Sequence, residues 1–401
     1  MGTITQDQVN ESDQDTTKKS IIDYDPKHFL RCHSKKNDSS DVQTQVWQCA
    51  FQPDCNDRRK TTSIVATCGG NSVCFIDVEK GIVPYKYYAK DSREMLYALA
   101  WTVNLSYSFL VCAGAMYSVH FLDSVNGIAF GVKAVKKTSK KNIINSLLFH
   151  PEQWNLLFCG GSDGDIHLCN IGNPSPPEYK VDFEVLQQFS TQSEIISFTF
   201  CPVNNTLLIG CDSGLLGWNY SVDDIKSEER NSIKLTLPTR KGGPKQDMVD
   251  SVEAVGGGVI ATKCVLHGVI YLWNLTDTLN SGTHEVRPTH ILQWSNTDNY
   301  FMYMGVQPEA NMLCCGDDQG SLWLYDLDRL DPAEPDCPVT VRPSCVLPWP
   351  TLTDPHTEKR RKLSVDTYDI VVAKVAISSN RENIVAVTNN NMVCVWEKCE
   401  S

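Results

Sequence analysis

Met-Leu-Cys-Cys-Gly-Asp-Asp-Gln-Gly-Ser-Leu-Trp-Leu-Tyr-Asp, residues 312–326, is the stretch that decides the fold. It contains two short apolar runs joined by a tight polar turn at 317–320. Apolar runs of this length, bounded by turn residues, are typical of two strands in a β-hairpin. The second run ends in an aromatic residue followed by an acid, Tyr325-Asp326. This ending makes the hairpin recognisable elsewhere in the chain.

A short apolar strand that ends in an aromatic or apolar residue plus Asp, Asn or Glu occurs seven times: Phe75-Ile76-Asp77, Phe121-Leu122-Asp123, Leu168-Cys169-Asn170, Gly217-Trp218-Asn219, Leu272-Trp273-Asn274, Leu324-Tyr325-Asp326 and Val395-Trp396-Glu397. Their final residues are 46, 47, 49, 55, 52 and 71 positions apart in chain order. Six of the seven endings follow another apolar strand through a tight polar turn. A further apolar strand comes earlier in each unit and often closes on a proline, as at Pro53 and Pro151.

A repeat of roughly 40–45 residues with several short strands and a Trp-Asp-like ending is typical of WD-repeat propellers. One four-stranded blade cannot bury both of its faces, whereas blades stacked in a ring bury each other. The sequence therefore predicts an all-β fold, a seven-bladed WD-repeat β-propeller.

The repeat also predicts how the chain is divided. Residues 1–26 are rich in Asp, Gln, Ser, Thr and Asn, which predicts a disordered acidic and polar tail. Residues 27–399 are predicted to form the propeller, with Lys27 to Ser34 supplying the outer strand of the last blade. The proline-rich residues 328–368 predict a surface insertion between blades six and seven.

Composition excludes several classes of protein. A net charge of −12 argues against DNA binding by bulk charge, and no apolar run is long enough for a membrane span. The first twenty residues lack the apolar core of a secretory signal, which predicts a cytosolic or nuclear protein. The 17 cysteines contain no Cys-x-x-Cys spacing. We therefore expect reduced, mostly core cysteines, with no metal and no other cofactor.

No arrangement of residues in the sequence is typical of catalysis. The glycines at 256–258 lack the spacing and the lysine of a phosphate-binding loop. His150 precedes a proline at a strand end and His167 lies inside a strand, so both are predicted to be satisfied structural histidines. The sequence predicts that the protein is not an enzyme and has no small-molecule substrate.

Aromatic residues begin three of the inner strands. Alignment of these strands by their apolar residues places Trp47 and Tyr97 at equivalent positions, with Tyr300-Phe301 at the comparable place in blade six. The other blades carry Asn145, Ile196, Ser251 and Ala373 there. Inner strands line the axial channel of a propeller, so their first residues converge on one rim. Aromatic faces at this rim can enclose a quaternary ammonium such as trimethyl-lysine, and packing of large side chains at the rim is the alternative.

Two basic clusters lie in predicted loops: Lys133, Lys136, Lys137, Lys140 and Lys141, and then Arg240, Lys241 and Lys245. Such clusters are usually solvated, and a local contact with DNA phosphates is the alternative. The basic run 359–362 is a candidate nuclear import signal.

Several strings carry a resemblance to a known family: Phe29-Leu30-Arg31-Cys32-His33-Ser34, Ala50-Phe51-Gln52-Pro53, Leu292-Gln293-Trp294-Ser295 and Leu322-Trp323-Leu324-Tyr325-Asp326. Over residues 28–398 the chain resembles the WD-repeat half of the leucine-rich-repeat and WD-repeat proteins associated with the origin recognition complex. That family's leucine-rich half has no counterpart before residue 28, so its functions are not expected of these residues. The resemblance implies binding to origin recognition complex subunits and to repressive histone marks.

A weaker resemblance runs to the Polycomb WD-repeat subunits of the embryonic ectoderm development type. Their trimethyl-lysine cage matches here at Trp47, Tyr97 and Tyr300-Phe301, with Tyr303 as a competing candidate in blade six. This resemblance favours the cage interpretation over simple rim packing.

The predicted function is that of a nuclear, chromatin-bound, non-catalytic adaptor. By resemblance, it holds the origin recognition complex on chromatin marked by trimethyl-lysine, for replication initiation and heterochromatin maintenance. The alternatives are a Polycomb-type methyltransferase subunit and a generic WD-repeat scaffold or substrate receptor.

Overall fold

The computed structural model describes residues 22–34, 38, 40–104, 107–136, 142–220, 232–240, 247–334, 337–350 and 370–399. Seven sheets in these residues, antiparallel except for one added strand in blade five, form the blades of a β-propeller, which confirms the predicted fold. The one α-helix in this part of the chain is α1 (Leu275–Asn280), and no described helix is long and apolar enough to cross a membrane.

Blades one to four each take four consecutive strands. Blade one contains β2 (Val46–Pro53), β3 (Thr61–Gly69), β4 (Ser72–Asp77) and β5 (Ile82–Tyr88). Blade two contains β6 (Leu96–Asn104), β7 (Tyr107–Gly114), β8 (Ser118–Asp123) and β9 (Ile128–Ala134). Blade three contains β10 (Ile144–Phe149), β11 (Leu156–Gly161), β12 (Asp165–Asn170) and β13 (Glu184–Ser190). Blade four contains β14 (Ile195–Cys201), β15 (Thr206–Cys211), β16 (Gly214–Asn219) and β17 (Ile233–Leu235).

The last three blades depart from this consecutive order. Blade five contains β18 (Val249–Gly256), β19 (Val259–Cys264), β20 (Val269–Asn274), β21 (Pro288–Gln293) and the added strand β25 (Val339–Val341). Blade six contains β22 (Gly305–Gln307), β23 (Met312–Gly316), β24 (Leu322–Asp326) and β26 (Cys345–Leu347). Blade seven contains β27 (Val372–Ile377), β28 (Asn383–Thr388), β29 (Val393–Lys398) and β1 (Tyr24–Leu30).

The core lies in the seams between neighbouring blades. Seven clusters of buried apolar side chains occupy these seams within the described residues. In the seam between blades three and four, the ring of Phe158 lies 6.3 Å from that of Phe200 and 6.2 Å from that of Trp218. The middle strands are apolar on both faces because each blade is covered on both sides, which explains fully buried strands such as β4 and β11.

The recurring acid or amide at the strand ending shapes the next turn. The Oδ1 atom of Asp77 accepts backbone N–H bonds from residues 79 and 80, and the Oδ1 atom of Asp123 accepts them from residues 125 and 126. Asn274 caps α1 in the same way, through a bond from the backbone of Asp277. These short polar side chains recur because each one satisfies the amides of a tight turn.

The two ends of the described chain meet in blade seven, where β1 pairs antiparallel with β29. This confirms that an N-terminal strand completes the last blade. The strand starts at Tyr24, three residues before the predicted start at Lys27. Tyr24 is buried and its hydroxyl donates to the carbonyl of Arg381, so packing extends the strand beyond what the polar sequence indicates. The predicted tail lies outside the described residues up to position 21.

The long spacing before blade seven is not a simple surface insertion. Within the predicted insertion 328–368, β26 supplies the outer strand of blade six, and β25 pairs parallel with β21 of blade five. Both strands have only three residues and are separated by a proline-containing turn, so neither gives a clear periodic signal. Residues 351–369, including the basic run 359–362, lie outside the described residues.

Candidate functional site

Three aromatic rings meet at one rim of the propeller. The centroid of the Trp47 ring lies 5.3 Å from that of Tyr97 and 6.5 Å from that of Phe301, with interplanar angles of 70° and 78°. All three side chains are half-buried. The structure therefore brings together the aromatic residues that the sequence singled out from blades one, two and six.

A shared irregularity of the inner strands turns these side chains toward the rim. The pairing register shifts around Trp47 in β2 and around Tyr97 in β6, so each of these residues is skipped by the ladder. The same shift occurs in all but one of the other inner strands, around Asn145, Ile196, Asp250 and Ala373. Such bulges re-aim a side chain, and here they present one residue per blade. The predicted residue of blade five, Ser251, is therefore wrong by one position.

Phe301 reaches the rim by a different route. Its backbone has φ of 60°, in the left-handed region that a bulky residue rarely adopts. It lies before β22, which starts only at Gly305, whereas the sequence predicts a strand from Phe301 onwards. The neighbouring Tyr300 is 52% exposed, and its ring centroid lies 4.8 Å from that of Phe301. Tyr300 is thus placed as an outer wall beside the three-ring group.

The Tyr97 ring is held by contacts behind it. Its hydroxyl lies 3.6 Å from the sulfur of Met95. Partial burial and the nearby Glu94 carboxylate raise the pKa of Tyr97, so the phenol is neutral at physiological pH. Glu94 is itself buried, and it accepts bonds from the backbone of Met116 and from His120. The hydroxyl of Tyr97 is thus engaged by Met95, and the nearest buried carboxylate is engaged by other groups.

Tyr303, the competing candidate, is not at the rim. It is 8% exposed, its hydroxyl lies 3.4 Å from the carbonyl oxygen of Ile196 in blade four, and its N–H donates to Ala373. Burial raises the pKa of its phenol. Tyr303 reaches across the axial channel between blades that are not neighbours, so it fills the channel below the aromatic group.

Two ion pairs involve residues of the inner strands β18 and β27. Lys263 and Asp250 in blade five are fully buried, with 2.6 Å between the ammonium nitrogen and each carboxylate oxygen. The ammonium also lies 4.7 Å from the centroid of the Trp294 ring. Lys374 in blade seven pairs with Glu253 at 2.8 Å. These contacts neutralise the basic groups of the channel from within the fold.

Two described residues of the basic clusters, Lys136 and Arg240, already bind other groups of the protein. Lys136 lies 2.6 Å from Asp165 and 3.6 Å from Asp163, and Arg240 donates to the carbonyl of Leu266. Lys133 lies within β9. The remaining members, Lys137, Lys140, Lys141, Lys241 and Lys245, lie outside the described residues. The part of the chain that the structure describes therefore contains no assembled phosphate-binding patch.

The two histidines differ from each other. The Nδ1 atom of His150 accepts backbone N–H bonds from Glu152 at 3.2 Å and from Gln153 at 3.1 Å, so it shapes the turn after β10. His167 is also buried, but neither ring nitrogen has a hydrogen-bond partner in the structure. Burial lowers the pKa of both imidazoles. The prediction of satisfied histidines therefore holds for Nδ1 of His150 and is wrong for His167.

One group of side chains was not predicted from spacing. The side-chain donor atoms of Cys32, His33 and Cys74 lie within 4.8 Å of one another. Both ring nitrogens of His33 are already bonded, to Ser72 at 2.9 Å and to Thr67 at 2.8 Å, so this is not a prepared metal site. Two adjacent residues and a third 42 positions later match no ligand spacing, and only the fold brings them together.

A closed ring of seven blades whose third strands end in an acid or amide defines a WD-repeat propeller, a fold that serves as an interaction scaffold. Comparison with known proteins narrows this class. The family profile for the WD domain of leucine-rich repeat and WD repeat-containing protein 1 matches residues 15–399. The chain therefore belongs to the leucine-rich repeat and WD repeat-containing protein 1 family, as the sequence predicted.

Individual relatives agree with this assignment. Leucine-rich repeat and WD repeat-containing protein 1 of Mus musculus is 31% identical over 402 residues, covering 95% of this chain and 59% of the relative. The protein of the same name from Xenopus tropicalis is 30% identical, covering 94% of this chain and 56% of the relative. The chain thus spans little more than half the length of these relatives. Polycomb protein esc of Drosophila melanogaster is 25% identical over 298 residues, covering 67% of each chain.

Proposed function

We propose that the protein is a non-catalytic chromatin adaptor whose aromatic rim binds trimethyl-lysine on a histone tail. One observation carries the proposal: the rings of Trp47, Tyr97 and Phe301 meet at one rim although they come from three different blades. Nearly perpendicular aromatic walls suit a cation that makes no hydrogen bonds, because its charge is attracted to ring faces. Trimethylation retains the charge of lysine and removes its N–H donors.

Simple packing of large side chains accounts less well for the exposure of the rings at the rim. Rings that served packing alone would be expected to be fully buried, whereas these three are half-buried and Tyr300 is 52% exposed. The net charge of −12 also favours a basic peptide over a nucleic acid as the partner. Trimethylated histone tails are basic peptides that satisfy both requirements.

We extend the proposal to the partners of the adaptor. Membership in the leucine-rich repeat and WD repeat-containing protein 1 family supports binding to origin recognition complex subunits and a place on nuclear chromatin. In this role, the propeller stabilises the complex on marked chromatin for replication initiation and heterochromatin maintenance. The likeness to Polycomb protein esc supports the second candidate, a histone methyltransferase subunit.

Titration of histone-tail peptides that differ only in the methylation of one lysine tests the rim. We expect dissociation constants of roughly micromolar for the trimethyl peptide, since one anchored side chain contributes little contact area, and clearly weaker binding of the unmodified peptide. Tyr97→Ala should weaken binding about 2- to 30-fold, which corresponds to a lost ring–cation contact of about 0.5–2 kcal/mol. Tyr88→Ala, which removes an exposed aromatic ring from the outer strand β5, is the matched control and should bind like the wild type. Equal binding of trimethylated and unmodified peptides would leave rim packing as the explanation.

A second experiment separates the partners. The tagged protein is purified from nuclear extract, and the co-eluting subunits are identified by mass spectrometry. Origin recognition complex subunits are the expected result, and they should remain with Tyr97→Ala because that variant changes only the rim. Methyltransferase subunits in their place would favour the second candidate.

A further inference from the structure

We propose that Cys32 and Cys74 form an oxidation site, at which a hydroperoxide converts the two thiols into a disulfide that locks the ring closure. The proposal does not depend on the ligand of the aromatic rim. It rests on how the fold places the two sulfur atoms, on their difference in exposure, and on the elements that they join.

The two thiols are close and complementary. Their sulfur atoms lie within 4.8 Å of each other, and the Cys74 sulfur lies 3.2 Å from the carbonyl oxygen of Cys32. Cys32 is partly exposed as a residue, whereas Cys74 is buried, so a small oxidant such as hydrogen peroxide would react first at Cys32. This is the arrangement of a reactive thiol with an adjacent resolving thiol.

The chemical environment separates the roles of the two residues. A hydrogen bond from Cys74, assisted by the nearby His33 imidazole, lowers the pKa of Cys32, whereas burial raises the pKa of Cys74. Among the described cysteines with a shifted pKa, Cys32 alone has a pKa that is shifted downward, so it is the most readily deprotonated thiol of this group. Cys159 and Cys169 differ from Cys32 in exposure, because both are fully buried.

The reaction balances with hydrogen peroxide as the oxidant. The Cys32 thiolate attacks one peroxide oxygen, the S–O bond forms and the O–O bond breaks, and the departing hydroxide takes up a proton to leave as water. The resulting sulfenic acid is attacked by the Cys74 sulfur; the S–S bond forms, the S–O bond breaks, and a second water leaves with the Cys74 proton. Two thiols are oxidised and one peroxide is reduced to two waters.

The disulfide would join the closing strand of the ring to blade one. Cys32 follows β1, the strand that closes blade seven, while Cys74 lies in β4 of blade one. The same segment is already held to both blades: the N–H of His33 donates to Asn391 of blade seven, and the His33 ring bonds to Ser72 and Thr67 of blade one. A disulfide would convert this hydrogen-bonded clasp between β1 and blade one into a covalent one.

Peptide mapping under non-reducing conditions tests the site. The purified full chain is treated with a small excess of hydrogen peroxide, and we expect a linked peptide containing Cys32 and Cys74, two hydrogen masses lighter and reversed by a thiol reductant. Oxidation of Cys32 should be about tenfold faster than that of the partly exposed Cys345, because burial raises the pKa of the Cys345 thiol and so lowers its thiolate fraction. The melting temperature should rise in the oxidised protein.

Variants separate the two steps. Cys74→Ser should stop at the Cys32 sulfenic acid, which dimedone traps, whereas Cys32→Ser should give neither product at these positions. Cys159→Ser is the matched control and should oxidise like the wild type. Melting curves of each variant verify that it is folded. Faster oxidation of Cys345, a wild-type product trapped by dimedone without the linked peptide, or stoichiometric zinc that shields both thiols would each overturn the proposal.

Discussion

The hydroxyl of Tyr97 points to a sulfur atom rather than to a ligand position. Its contact is with Met95, and the aromatic face is the part of the side chain that the rim presents. We therefore expect Tyr97→Phe to bind the trimethyl-lysine peptide within about twofold of the wild type, whereas Tyr97→Ala loses one ring–cation contact of about 0.5–2 kcal/mol. Isothermal titration of the same peptide into both variants measures the difference. A phenylalanine variant as weak as the alanine variant would show that the hydroxyl takes part in binding.

The buried pair Lys263–Asp250 offers a residue-scale test of stability. Lys263→Met leaves the Asp250 carboxylate without its partner in a fully buried position, and breaking such a pair costs about 3–5 kcal/mol of unfolding free energy. Burial already raises the pKa of Asp250, so part of this cost is relieved by its protonation in the variant. Urea unfolding measures the loss. The double variant Lys263→Met with Asp250→Leu should recover most of the lost unfolding free energy. If it does not, the two side chains stabilise the fold through contacts other than their mutual charge neutralisation.

Single residues show how far the sequence could predict the site. Trp47, Tyr97 and Phe301 were identifiable because large aromatic residues at equivalent strand positions are visible in the sequence. The exchange of Ser251 for Asp250 was not identifiable, because a bulge adds one residue without a sequence signature. Phe301 and Tyr303 are two positions apart, and only the structure shows that Phe301, with a φ of 60°, lies at the rim while Tyr303 is buried.

At the scale of one element, the turn after β10 depends on an unprotonated nitrogen. Nδ1 of His150 accepts two backbone N–H bonds, and burial lowers the pKa of the ring below its ordinary value of about 6.5. The unfolded chain therefore binds the proton first. The stability contributed by His150 is complete above the unfolded pKa and is lost as the pH falls below it, toward the folded pKa.

We expect His150→Asn, which keeps a side-chain acceptor and does not titrate, to reduce the loss of stability between pH 7 and pH 5. Melting temperatures across this range compare the variant with the wild type. His167 contributes in the same direction because burial lowers its pKa also, so the combined variant with His167→Gln should be flatter still. An unchanged pH profile in both variants would place the acid sensitivity elsewhere.

The elements themselves differ in how well the sequence specifies them. The third strand of each blade was predictable because it ends in an acid or amide. That side chain accepts hydrogen bonds from the backbone of the following turn, as Asp77 and Asp123 show. Outer strands carry no such requirement: β25 and β26 have three residues each and take their place from a neighbouring edge. The parallel pairing of β25 with blade five joins residues that are about fifty positions apart, which no local pattern encodes.

For the whole molecule, closure by β1 is the feature that truncation tests. A chain that begins at residue 22 keeps β1 and is the control, whereas a chain that begins at residue 35 lacks it and exposes the edge of β29. Removal also uncovers the buried Tyr24 site and the clasp at His33. We expect the shorter chain to melt at a clearly lower temperature and to aggregate more readily than the control, as measured by calorimetry and light scattering. Equal melting temperatures would contradict a stabilising role for the closure.

Because Tyr24 pairs with Lys398, the order of synthesis conflicts with the order of assembly. β1 leaves the ribosome before blade one, but its partner strand β29 follows blades one to six, so Tyr24–Leu30 must wait until all the intervening blades have been translated. During that interval the apolar seam faces of blade one and of the newest blade lack their final neighbours, which is the condition in which chaperones bind and chains aggregate. A premature stop codon that removed only blade seven would therefore cost the nascent protein its closed ring, and not merely one seventh of it.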